Sequence, residues 1–361
     1  MSGSLIELVS QGVQDVYLKD DALSSSLFTT KYNKHTNFAQ EPRRLDIIGV
    51  VAPGGTSEVK ITKQGDLVNY IWIDDTDVLD RLPGTIFELY IGGKLVDTHT
   101  YEYLADIWNV YLPETSTKAA VINNIASSSD KNFFPMHFFF CDNGMFLPLV
   151  SIPYHEVSIR IKWGNLISGN PKIYANYIFL DKDERINFTG DKPMDILVTQ
   201  IQNENFHISD GNTKIDISNF NHPVKSIFWG HKTASDSVAQ DYFTFDSMSL
   251  LLNGKTKIDD MSPNYFHTVQ GYYHTKHGNI NFVNTNKSPL YTRFFMYSFA
   301  QDISEYNPSG SCNFSRMDTV SMNFNNITRA SQRSNEKLQV YTMNYNILRI
   351  HSGLAGILFS N

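Results

Sequence analysis

Apolar and polar residues change places at every second position over much of the chain. In Val157-Ser-Ile159-Arg-Ile161-Lys-Trp163 the apolar residues fall on one side and Ser158, Arg160 and Lys162 on the other, as in a strand with one buried face. Val320-Ser-Met322-Asn-Phe324-Asn repeats the pattern. So do Val59 and Ile61 among Glu58, Lys60 and Thr62, the set Phe87, Leu89 and Ile91, and the pairs Ile215 and Ile217, Phe243 and Phe245. Helical periodicity is scarce: one short helix is expected at Asp181-Lys-Asp-Glu-Arg185, with Asp181 as its N-cap and acids in its first turn. Turn residues punctuate the runs at Pro53-Gly-Gly55, Pro83-Gly84, Gly92-Gly93, Asn143-Gly144, Asn170-Pro171, Asn253-Gly254 and Pro308-Ser-Gly310. The polar stretch from Arg329 to Lys337 reads as a loop. Many short strands between such signals predict an all-β sandwich or jelly roll.

Three segments then recur in the same order. Leu89-Tyr-Ile-Gly-Gly93-Lys94 is echoed by Leu250-Leu-Leu-Asn-Gly254-Lys255 at an offset of 161. Met136-His-Phe138-Phe-Phe140 is matched loosely by Arg293-Phe294-Phe-Met-Tyr-Ser-Phe299 at 156, and Asn176-Tyr177 by Asn344-Tyr345 at 168. Such offsets predict two copies of one β domain, each with room for eight strands of roughly 5–6 residues. The expected architecture is two tandem eight-stranded antiparallel jelly rolls with few short helices. The first copy is expected to end near Leu180, followed by the short helix and a linker at Thr189-Gly-Asp-Lys-Pro193. The division that follows is 23–188 for the first roll and 189–361 for the second.

Composition narrows the function. The chain has 361 residues, a length suited to about two domains. It carries 30 Lys+Arg against 37 Asp+Glu, a net charge of −7, which argues against a protein that coats nucleic acid. With 41% hydrophobic and 13% aromatic residues it is too apolar to be disordered. Cys141 and Cys312 are too few for a disulfide framework and read as buried small apolar residues in a reducing compartment. The start lacks a signal-peptide pattern, so a cytosolic origin is expected.

No motif nominates a catalytic, cofactor-binding or metal-ligating residue. Gly254-Lys255-Thr256 has the end of a phosphate loop, but the glycine required at 249 is Ser249. Asn253-Gly254 and Gly92-Gly93 fit tight hairpin turns instead. His155-Glu156 lacks the second histidine of a zinc-protease helix, since 159 is Ile159, and His274-Thr-Lys-His277 has no acid or cysteine nearby. Asp74-Asp75-Thr-Asp77-Val-Leu-Asp80 lacks the glycine and terminal glutamate of an EF-hand and reads as a solvated turn. Lys31, Lys34, His35, Arg43 and Arg44 form a modest basic stretch diluted by Glu41 and Asp46, a solvated strand face. The sequons at Asn187, Asn286, Asn313 and Asn326 matter only if the chain meets a glycosylation machinery.

Four longer segments carry a family resemblance. Gln14-Asp-Val-Tyr-Leu18 followed by Lys31-Tyr-Asn-Lys-His35-Thr-Asn-Phe38-Ala39 resembles the opening of the major capsid proteins of nucleocytoplasmic large DNA viruses, the group of the iridoviruses and phycodnaviruses. Leu147-Pro-Leu-Val-Ser-Ile-Pro-Tyr154-His155-Glu156-Val157 resembles that family's central signature. Tyr174-Ala-Asn-Tyr-Ile-Phe-Leu-Asp181, with Glu184-Arg185, resembles the end of its first domain. Asn344-Tyr-Asn-Ile-Leu-Arg349-Ile-His-Ser-Gly353-Leu-Ala-Gly356-Ile-Leu-Phe-Ser-Asn361 resembles its terminal motif.

The resemblance implies a double jelly roll whose homotrimer is a pseudo-hexagonal capsomer of an icosahedral shell, without enzymatic activity or cofactor. The implied partners are the chain itself, neighbouring capsomers and minor capsid proteins, with no direct contact to nucleic acid. Residues 1–22 precede the first firm strand signal and are expected to be an arm toward a neighbour, a minor capsid protein or the inner viral membrane. The expected location is the virion, assembled in host cytoplasm. The chain is short for the family, which implies trimmed outer loops, and about 224–307 matches only loosely. A glycan-binding or glycan-cleaving β-sandwich is the rival, because four Trp and 19 Tyr could stack on sugars. Cleavage needs two carboxylates about 5–10 Å apart, and no pattern nominates such a pair.

Overall fold

The computed structural model describes residues 35–74, 82–115, 117–119, 133–142, 144–190, 192–232, 243–276, 294–329 and 337–359, besides the exposed Ile6 and Val9. Phe38–Asn361 form one compact unit and Met1–Asn37 another. The acidic run beyond Asp74, His277, Asn286, Lys31, Lys34 and the 330–336 loop lie outside the described residues, as does the expected arm at 1–22 apart from Ile6 and Val9.

In the first half the strands are β1 (Phe38–Leu45), β2 (Ile47–Gly49), β3 (Thr56–Ile61), β4 (Leu67–Asp74), β5 (Ile86–Ile91) and β6 (Lys94–Thr100). A helical segment, α1 (101–111), follows, with wide i→i+5 turns at Tyr103–Trp108. Then come β7 (Phe134–Met136), β8 (Leu147–Pro148), β9 (Val157–Lys162), β10 (Lys172–Leu180) and the helix α2 (Lys182–Thr189). The second half holds β11 (Met194–His207), β12 (Gly211–Asp216), β13 (Pro223–Lys232), β14 (Phe243–Thr244), β15 (Ser247–Leu252) and β16 (Lys255–Met261). After these lie α3 (265–274), β17 (Phe294–Ser298), β18 (Cys312–Asn313), β19 (Val320–Arg329), β20 (Lys337–His351) and β21 (Leu354–Ile357).

All described pairings are antiparallel, and each half fills the eight strand positions of a jelly roll, the first half with the three-residue β2 as an additional edge strand beside β3. In the first half one sheet runs β1-β10-β4-β7, with β8 continuing the β7 edge along β4, and the other runs β2-β3-β9-β5-β6. In the second half the sheets run β11-β20-β13-β17 and β12-β19-β15-β16. Numbered by position, each roll places its first, eighth, third and sixth strands in one sheet and its second, seventh, fourth and fifth in the other. That interleaving is the jelly roll, and it occurs twice.

Two of the three sequence repeats land on equivalent strands; the third does not keep its register, since Phe138 lies beyond β7 whereas Phe294 opens β17. Gly92-Gly93 joins β5 to β6 and Asn253-Gly254 joins β15 to β16, all four residues at positive φ, as two-residue hairpin turns require. Asn176 and Asn344 both stand on the eighth strand, opposite a bulge in the third: β4 has one extra residue between its partners of Ala175 and Tyr177, and β13 one between those of Met343 and Asn344. Both asparagines are buried and bonded to a glutamine of the neighbouring first strand, Gln40 at 3.0 Å and Gln202 at 2.8 Å.

The alternating apolar residues make the cores. Val59, Phe87, Leu89, Ile159 and Ile161 face inward in the first roll. Trp229 centres the second, with Phe266 edge-on at 5.1 Å and Phe295 stacked at 6.0 Å. Such aromatic pairs contribute about 0.5–1.5 kcal/mol each beyond area burial. Asp181 caps α2 as expected, its Oδ1 accepting from Lys182 N at 2.7 Å. Cys141 is buried, but Cys312 is only half-buried, because β18 is a two-residue strand at a sheet edge.

Candidate functional site: the join between the rolls and its exposed counterparts

A sheet edge leaves backbone groups without partners, and β6 is such an edge. The second roll covers it. Val96 O accepts from the Gln200 side-chain amide, and Asp97 Oδ1 accepts from Ile201 N at 3.0 Å. Asp97 Oδ2 lies 2.8 Å from His99 Nε2, both side chains buried. On α1, Tyr103, Leu104, Ile107, Val110 and Tyr111 are all buried. Tyr111 donates its hydroxyl to Phe294 O at 2.8 Å, and its ring lies 5.7 Å from that of Phe228. Thr100 and Tyr341 share a 2.8 Å hydroxyl contact. Residues of both rolls thus form one continuous apolar cluster.

The same spacing recurs 162 residues later, where Phe266 is buried in its own roll but the last two positions lack cover. Tyr265, Phe266, Val269, Tyr272 and Tyr273 repeat the spacing of Tyr103, Leu104, Ile107, Val110 and Tyr111. Tyr272 and Tyr273, however, are each 71% exposed. Only Ile258 is buried on β16, whereas Val96, Asp97, His99 and Thr100 are buried on β6. Conversely, the surface of the second roll that receives β6 and α1 has an open equivalent on the first. Pro42 of β1 pairs with Asn176 as Gln200 of β11 pairs with Asn344, and β1 is exposed from Phe38 to Pro42. At the third-strand bulge Lys225 is 2% exposed, while Tyr70, in the corresponding place on β4, is 44% exposed. A join made once inside the chain therefore has both its halves repeated, open, elsewhere on the molecule. Both open halves carry charges of either sign; at the matching stretch Asp259 and Asp260 of β16 are opposite in sign to Arg44 of β1, while Arg43 is paired with Glu41 at 2.8 Å.

The two longest motifs of the sequence meet in a second contact between the rolls. Ser352 and Gly353, both at positive φ, turn β20 into β21. Tyr154 N donates to Gly353 O at 3.2 Å. His155 Nδ1 lies 2.9 Å from Ala355 O and 3.1 Å from Ala355 N, so either tautomer makes a bond. A Cβ on Gly353 would stand 2.5 Å from the Tyr154 ring, and one on Gly92 2.6 Å from the His155 ring. The signature loop thus clamps the C-terminal hairpin, which explains its glycines and histidine without any chemistry.

The remaining candidates are dispersed. His274 Nδ1 lies 2.9 Å from Ala300 O, and among the described residues no group of three or more His, Cys, Asp or Glu is placed to hold a metal. Asn187, Asn313 and Asn326 are exposed. Trp163 and Trp229 lie in the cores, closed to sugars. The helices α1 and α3 escaped the alternation reading, although apolar residues at Tyr103, Leu104, Ile107, Val110 and Tyr111 follow the helical period.

Two jelly rolls in tandem, joined by a contact whose halves are also displayed at the surface, define a double jelly-roll shell protein. Comparison with known proteins specifies it further. Residues 184–356 match the family model of the large eukaryotic DNA virus major capsid protein, and residues 26–181 that of the major capsid protein N-terminus. The major capsid protein of Pyramimonas orientalis virus is 31% identical over 408 residues, with all of both chains covered. That of Paramecium bursaria Chlorella virus 1 is 26% identical, again over all of both. A quasi-atomic model of the PBCV-1 virus capsid shares the fold at a TM-score of 0.79 and 22% identity, covering 93% of this chain and 100% of that one. The chain belongs to the major capsid proteins of large eukaryotic DNA viruses; it is a structural protein of the virion.

Proposed function

We propose that three copies of the chain close into a ring of six jelly rolls, the pseudo-hexagonal capsomer of an icosahedral shell. The observation that carries this reading is the exposure of Tyr272 and Tyr273 where Val110 and Tyr111 are buried. A heterologous contact repeated head to tail closes when each step turns by about 60° and six steps complete the circle. Half of those steps lie inside the chains, and the other half place β16 and α3 of one copy on β1 and Tyr70 of the next. The charges at Asp259 and Arg44 favour that pairing over like meeting like.

The reading includes no catalytic step and no cofactor. Residues 1–22 act as an arm toward a neighbouring capsomer, a minor capsid protein or the inner viral membrane, and assembly takes place in host cytoplasm. The acidic balance of −7 fits contacts that are protein to protein, with no direct hold on the genome. Negative-stain microscopy of purified protein is expected to show hexagonal rings; isolated monomers at high concentration contradict the reading. Removal of residues 1–22 is expected to leave rings that no longer assemble into shells, and loss of folded protein on that deletion would place the segment in the core instead.

A further inference from the structure

The join between the rolls holds an open cavity of about 280 Å³. His99, Trp108, His137 and Asp142 of the first roll and Lys225 and Ser304 of the second form part of its wall. Among the described residues, four side-chain atoms on that wall have no hydrogen-bond partner: His99 Nδ1, His137 Nε2, Asp142 Oδ1 and Ser304 Oγ. Buried polar groups are mostly paired, and the gathering of four such atoms on one wall suits an occupant that exchanges hydrogen bonds. At the mouth Lys118 pairs with Glu114 at 2.7 Å and Lys276 with Glu305 at 3.1 Å. Those charges compensate one another, and inside, the carboxyl of Asp142 is set against the ammonium of Lys225. A balanced polar interior of this kind suits water and the proton rather than a charged guest.

We propose that this cavity is a proton-operated latch between the two jelly rolls: with a proton on Asp142 the rolls seat tightly, and release of that proton draws water into the join and loosens it. The groups set against Asp142 are Lys225 on β13, His99 on β6 with its partner Asp97, Tyr103 on α1 and the adjacent Cys141, with His137 on the same cavity wall. Burial pushes the Asp142 acid up to about 7, against the pull of Lys225 and His99. Burial lowers Lys225 to about 8 and holds His137 well below the usual imidazole range. Lys225 Nζ spends one hydrogen on Glu305 O at 2.7 Å and lies over the Tyr345 ring.

The direction of the effect follows from proton linkage. Asp142 holds its proton in the folded chain up to about pH 7 but only to about pH 4 when unfolded, so its stabilising contribution is complete below about pH 4 and lost as pH rises through 7. His137 works the other way, removing stability as pH falls below about 6.5. The Asp142 proton therefore tightens the latch at about pH 6 relative to about pH 8, and above about pH 8 release of the Lys225 proton works in the opposite direction. It is a property of the single chain and does not rest on ring formation.

Hydrogen exchange of the full chain at about pH 6 and about pH 8, corrected for intrinsic rates, tests it. The protection of peptides from β6 and β11 is read as the ratio of the unmutated chain to Asp142→Asn, so that the opposing protons of His137 and Lys225, common to both, cancel. That ratio is expected to fall about tenfold from the lower to the higher pH, the effect of one linked proton. A ratio that does not change with pH overturns the proposal. Should the variant fail to fold, the infrared band of a protonated carboxylic acid decides on the unmutated protein: present at about pH 6 and lost by about pH 8 if the latch exists, already absent at about pH 6 if it does not.

Discussion

The edge made by β6 and α1 and the edge made by β16 and α3 are the same structure in different surroundings. Their strands, turns and apolar spacing correspond, yet Val110 and Tyr111 are buried on α1 while their counterparts Tyr272 and Tyr273 project into solvent on α3, and β6 has four buried residues where β16 has one. An apolar pattern therefore does not by itself specify a core position. It specifies a surface that must be covered, and the described residues supply the cover for only one of the two copies. The exposed tyrosines of α3 are better understood as half of a contact than as a flaw in packing.

Paired substitutions at Tyr111 and Tyr273 probe this difference most strongly. Tyr111→Ala removes a buried ring and its hydrogen bond to Phe294 and is expected to lower chain stability by about 3–5 kcal/mol. Tyr273→Ala is expected to change it by no more than about 0.5 kcal/mol while weakening association. Urea unfolding at concentrations too low for association distinguishes the two, and equal losses would break the comparison.

The third-strand bulge offers the next test. Lys225 is buried where Tyr70 is open, and burial lowers the lysine to about 8. Between about pH 8 and its unfolded value the unfolded chain binds the proton that the folded chain has released, so the contribution of Lys225 to stability rises with pH across that window. The unmutated protein is expected to gain on the order of 3 kcal/mol over Lys225→Met across it, read from urea unfolding at a series of pH values. Parallel curves would mean that the ammonium is hydrated.

Smaller effects are expected at the clamp and the charged stretch. Gly353→Ala forces a side chain to positive φ against the Tyr154 ring and is expected to cost about 1–2 kcal/mol, while Gly356→Ala, with nothing within 4 Å, is expected to be neutral. Thermal melting of both variants checks this. Asp259→Lys is expected to weaken association by about 0.2–1 kcal/mol in a salt-dependent way. Adding Arg44→Glu is expected to restore it, measured by sedimentation; no rescue would separate these two residues.

The strands were legible because alternation reports on which face is buried, as at Ile159, Arg160, Ile161 and Lys162, although Ser158 and Ser321 are buried on the face read as open. The turn at Asn253-Gly254 and the cap at Asp181 were legible because their chemistry is local. The helices α1 and α3 were not read, since a short apolar run with wide turns sits between strands and offers few residues for a period to show. The burial of Lys225 was beyond local reading: the extra bulge residue breaks the alternation, and the roll that covers it comes from distant sequence. The meeting of Tyr154 and His155 with Gly353 and Ala355 was likewise invisible, although both motifs stood out as strings.

Sedimentation equilibrium of the full chain, unmutated and carrying Tyr273→Asp, tests the central claim most directly. The account predicts three chain masses for the unmutated protein and one for the variant, with the variant's chain melting as before. A variant that still sediments as a trimer, or an unmutated protein that remains a monomer at high concentration, would contradict it.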